Sequence, residues 1–78
     1  MSDWSPEEAI AMEQRHVSEG EKRVCRQETL VREVTERGSD LLVFKSNELL
    51  SLLRKSLELS RARLRDLEAR YGKAPGRN

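Results

Sequence analysis

The sequence predicts an all-α protein: an antiparallel, coiled-coil-like two-helix hairpin that pairs with a second copy into a four-helix bundle. Three observations carry this reading. Apolar residues recur at every seventh position through two long segments. One break, Arg37-Gly38-Ser39-Asp40, separates those segments. The second segment also holds more leucine than the first can cover.

The first helix is expected over about residues 6–37. Ser5-Pro6-Glu7-Glu8 is a helix start: Ser5 can cap, Pro6 suits the first helical position, and Glu8 completes a Ser-x-x-Glu capping box. Trp4 precedes the cap and is placed to staple onto Ala9. Only Gly20 interrupts the segment before Gly38, which suits a left-handed helix end.

The second helix is expected over about residues 41–71, with Ser39 or Asp40 as its cap and Gly72 as its stop. Residues 73–78, with Pro75 and Gly76, are expected to form a flexible tail to a single domain spanning 1–72. A link this short folds the helices back antiparallel.

The spacing names the seam. In the first helix Ile10, Val17, Val24 and Val31 recur at seven, with Glu13, Gly20, Gln27 and Val34 between them. In the second, Val43, Leu50, Leu57, Leu64 and Tyr71 recur at seven, with Ser46, Leu53, Ser60 and Leu67 between them. Folding about Gly38 sets Val34 against Val43, Gln27 against Leu50, Val24 against Leu53, Gly20 against Leu57 and Ile10 against Leu67. Charge favours this arrangement. Residues 1–38 hold six bases and nine acids, a net −3, and residues 39–78 hold nine bases and five acids, a net +4.

Beside the seam lie Leu42 and Leu49, and further round lie Leu52 and Leu59. Leu41 and Phe44 lie outside even that stripe. A lone hairpin leaves this face wet, so these four leucines are the expected dimer interface.

Other residues carry weaker signals. Arg26 and Gln27 are candidate polar contacts to a partner, although a glutamine on a seam also sets register. His16 is the only histidine, which argues against a metal site, a Ser-His-acid triad or any enzyme role. Cys25 lies between Lys22 and Arg26 and reads as a partly buried small residue. Arg61, Arg63, Arg65, Arg70, Lys73 and Arg77 cluster towards the end of the chain, the basis of an alternative in which the protein binds nucleic acid. A net charge of +1 gives that alternative no whole-molecule field. No Gly-rich phosphate loop occurs and no cofactor is expected.

The acidic, polar start is unlike a secretory leader, and a lone thiol suits a reducing compartment, so a cytoplasmic setting is expected. The longest apolar run, Leu41 to Phe44, is far short of the ~20 residues of a membrane span, so no membrane partner is expected. These exclusions leave recognition of protein surfaces as the expected function: a non-enzymatic module that self-associates and binds a protein partner.

Arg15-His16-Val17-x-Glu19-Gly20-Glu21-x-Arg23, then Arg26-Gln27, Gly38-x-Asp40 and Leu49-Leu50 with Leu57 and Leu64, resembles a group of short, uncharacterised bacterial helical-hairpin proteins. The resemblance spans roughly residues 14–67. It implies a helical hairpin in a bacterial cytoplasm, and it implies no activity.

Overall fold

Ser5 caps the first helix as the sequence predicts, but the Glu8 carboxylate makes no return bond to the Ser5 N–H, so the expected capping box is only half formed. The Ser5 hydroxyl oxygen accepts the Glu8 N–H at 3.2 Å, and Pro6 follows at the first helical position. The same hydroxyl donates to Glu7 Oε1 at 3.1 Å, so a carboxylate of the first turn holds the cap in place. The computed structural model describes residues 4–72, and within them two helices, α1 (Pro6–Arg37) and α2 (Asp40–Tyr71), run 32 residues each. Helix accounts for 93% of these residues, well above the share in ordinary globular domains, and no strand occurs among them. The tail expected over 73–78 lies outside the described residues.

Gly38 reverses the chain. Its φ of 79° is left-handed, and its N–H bridges the Val34 and Thr35 carbonyls at 3.1 Å each. A side chain at this φ would crowd its own backbone, so glycine is the economical residue here. Ser39 then caps α2 by accepting the Leu42 N–H. With only Gly38 and Ser39 between them, the helices return antiparallel and pack along their length.

The buried residues of both helices fall at heptad positions. Val34, Leu50 and Leu57 are buried, and Ile10, Val17, Val24, Val31, Val43, Leu53, Leu64 and Leu67 are partly buried. Between them Glu13, Gln27, Ser46 and Ser60 are buried polar residues. Gly20 packs directly on Leu57 as the register requires. Tyr71 leaves the seam pattern and is 45% exposed. Its ring instead receives Trp4 edge-on, with centroids 5.3 Å apart and planes at 71°. Trp4, placed by sequence as a staple within its own helix, therefore clasps the far end of α2.

The charge split works as a zipper. Arg54 Nη2 donates to Glu28 Oε2 at 2.9 Å and Arg61 Nη2 to Glu21 Oε2 at 3.1 Å. Arg61 Nη1 also donates to Glu58 Oε2 at 3.1 Å. The bonds to Glu21 and then Glu58 hold the Arg61 guanidinium pKa above its ordinary value. All of these side chains are substantially exposed, so their contribution is orientation more than stability.

Candidate interaction surface

The two flanks of the seam differ in chemistry. One flank carries Glu21, Glu28, Arg54 and Arg61, already paired across the helices. On the other, His16, Gly20 and Arg23 of α1 share a polar groove of about 210 Å³ with Ser56, Ser60 and Arg63 of α2. Seven-residue spacing carries this second flank along both helices. It leads from His16 and Arg23 to Leu30 on α1, and from Ser56 back to Leu49 and Leu42 on α2. The polar groove thus gives way to leucine as the flank approaches the turn.

The four leucines expected at an interface all stand out from the hairpin. Leu42 is 49% exposed, Leu49 46%, Leu52 62% and Leu59 61%. Leu41 and Phe44 are exposed as well, near the start of the same helix. Leu30 belongs to this surface and is 42% exposed, although the sequence argument assigned it no role. Its signal was present in the His16–Arg23–Leu30 spacing, but a single leucine on a charged helix is easily overlooked. The apolar surface therefore draws mainly on α2, with one contribution from α1.

The pair Arg26 and Gln27 divides. Arg26 is exposed, whereas Gln27 is 7% exposed and faces α2. Its Nε2 donates to the Ser46 carbonyl oxygen at 2.9 Å. Gln27 is therefore held within the hairpin through its amide nitrogen, and of the pair only Arg26 stands exposed. The small Ser46 makes room for the glutamine, and its own hydroxyl donates to the Val43 carbonyl. The glutamine also reaches one turn past Leu50, the residue opposite it in the simple register.

Glu13 is the second polar seam residue. Its Oε2 lies 3.5 Å from both His16 Nδ1 and Arg63 Nε, with only 11% of the side chain exposed. That oxygen is buried and makes no hydrogen bond, so the nearby Arg63 guanidinium balances its charge without satisfying its geometry. Cys25, expected to be partly buried, is exposed on the outer side of α1.

The arginine cluster near the end of α2 is largely engaged by carboxylates of the same chain. Arg61 is held by Glu21 and Glu58, Arg63 lies beside Glu13, and Arg70 donates to Asp66 at 3.2 Å. Among the described residues no group of three or more His, Cys, Asp or Glu side chains is placed to hold a metal ion. No described helix is long and apolar enough to cross a membrane. The chain matches no family model, no curated protein and no solved structure.

Proposed function

We propose that the protein is a small, non-enzymatic interaction module: it self-associates through the leucine flank of α2 and offers its remaining helical faces to a protein partner in a cytoplasmic setting. One observation carries the reading. Leu42, Leu49, Leu52 and Leu59 are each about half exposed or more on one side of a helix whose seam is already filled. A folded chain of this size gains nothing from so much wet leucine unless another surface covers it. The partner binds by the helix-in-groove mode, in which apolar anchors at helical spacing enter a complementary surface. Pairing of Arg61, Arg63 and Arg70 with carboxylates weighs against nucleic acid as the ligand.

Thermal unfolding at several protein concentrations tests the reading. Mass action raises the Tm of a dimer as concentration rises. The wild type is expected to show this dependence, and a Leu49→Glu, Leu52→Glu double variant to lose it, because two charges cannot stay buried and unpaired. A wild-type Tm that does not move with concentration would remove the basis for self-association.

A further inference from the structure

We propose that two copies pair through α2 in antiparallel orientation, about a two-fold axis passing between residues 50 and 51, with Leu42 on the partner's Leu59 and Leu49 on the partner's Leu52. The proposal rests on the self-association reading and specifies its geometry.

The outward face of α2 carries a second heptad seam beside the one that α1 fills. Leu42, Leu49 and Ser56 recur at seven, and Lys45, Leu52 and Leu59 follow each of them by three. The stripe turns polar at Arg63 and Asp66, so its leucines lie between positions 42 and 59 only. Within those limits the stripe is its own mirror along the helix. Leu42 and Leu49 are seven apart, as are Leu52 and Leu59, and reversing the helix about the point between residues 50 and 51 exchanges the two pairs. A self-complementary patch is what a two-fold interface requires.

Charge selects the orientation. Lys45 interrupts the stripe. A parallel pairing sets it against the partner's Lys45, whereas the antiparallel pairing sets it against the partner's Ser56. Glu48 and Lys55 border the stripe, and both are exposed. They stand about 10 Å apart along one helix, too far to pair with each other. Neither makes an ion pair within its own chain among the described residues. In the antiparallel dimer each faces its opposite across the axis, giving two ion pairs, and the parallel arrangement offers neither. Leu30, beside Leu49 on the same flank, widens the apolar patch next to the axis. The opposite flank is occupied by Glu21–Arg61 and Glu28–Arg54, which leaves this side for the second copy.

Disulfide trapping tests the arrangement. In a Cys25→Ser background, Leu42→Cys and Leu59→Cys are prepared separately. In the antiparallel dimer the two copies of position 42 lie about 25 Å apart along the axis, beyond disulfide reach. Neither variant alone is then expected to cross-link under mild oxidation, and their mixture is expected to give the mixed disulfide. Cross-linking of each variant with itself, and none specific to the mixture, would overturn the antiparallel arrangement while leaving self-association standing. Absence of every disulfide would overturn the arrangement too, and a wild-type mass of one chain would then overturn self-association with it. Charge exchange gives a second reading that leaves the leucines untouched. Glu48→Lys alone and Lys55→Glu alone are each expected to weaken the homodimer several-fold, and an equimolar mixture of the two is expected to form the heterodimer preferentially. Equal association of all three would contradict the pairing.

Discussion

Gly20 lies against Leu57 so closely that a methyl group added to the glycine would come within 3.1 Å of Leu57 Cδ1 and 3.7 Å of its Cβ. The contact is one of the points at which the two helices pack closely. An alanine there needs Leu57 to yield by a few tenths of an ångström, and in return gains up to about 1 kcal/mol of helix propensity. Gly20→Ala is therefore expected to be near neutral. Gly20→Val adds branches that the seam cannot take, and overpacking of about 1–3 kcal/mol is expected. Urea unfolding of both variants checks the pair, and a valine variant as stable as the wild type would mean that the helices are not in contact at this point.

Gln27 donates to the Ser46 carbonyl inside the seam. That carbonyl lies within α2, where the helical ladder also uses it, so removing the glutamine leaves no orphaned acceptor. Gln27→Leu is expected to hold or raise stability, by up to about 1 kcal/mol, and Gln27→Ala to lower it by about 1–2 kcal/mol through the lost bond and the space left behind. If the glutamine sets register, the leucine variant also shows a broader amide NMR spectrum from slipped pairings. A sharp spectrum with raised stability would leave Gln27 without a specificity role.

Glu13 is buried with a carboxylate oxygen that no donor satisfies. Replacing such a group by an apolar one of similar size is commonly neutral or stabilising. Glu13→Leu is expected to raise the unfolding free energy by about 1 kcal/mol and to extend the apolar seam. Arg63→Ala, which strips the carboxylate of a neighbour that is itself largely exposed, is expected to lower it by less than about 1 kcal/mol. Denaturant melts of the two variants check the opposed signs.

Trp4 meets Tyr71 across the open end of the hairpin. An edge-to-face pair of this kind is worth about 0.5–1.5 kcal/mol beyond its buried area. Tyr71→Ala is expected to lower stability by about that much and to shift the Trp4 emission towards that of a fully hydrated indole. Unchanged emission would mean that the two rings do not share an environment in solution.

Periodicity made the rotation of both helices legible, and it did so position by position. Every valine, leucine and isoleucine assigned to the seam, from Ile10 to Leu67, is buried or partly buried. The caps at Ser5 and Ser39 and the reversal at Gly38 were equally readable, because each rests on one residue's local chemistry. Contacts made by long side chains were not. Gln27 reaches the Ser46 carbonyl one turn from its nominal partner, and Trp4 crosses to Tyr71, because heptad spacing fixes which face a residue occupies and not how far its side chain extends. Leu30 was missed for a related reason: its place beside Leu49 depends on how the two flanks align across the seam, which neither helix shows alone.

Sedimentation equilibrium of the wild-type protein at micromolar concentration tests whether the leucine flank of α2 holds two copies together. The expected mass is twice the 9.0 kDa of the chain, falling towards one chain on dilution. A mass of 9.0 kDa throughout the micromolar range would mean that the leucine flank does not pair two copies.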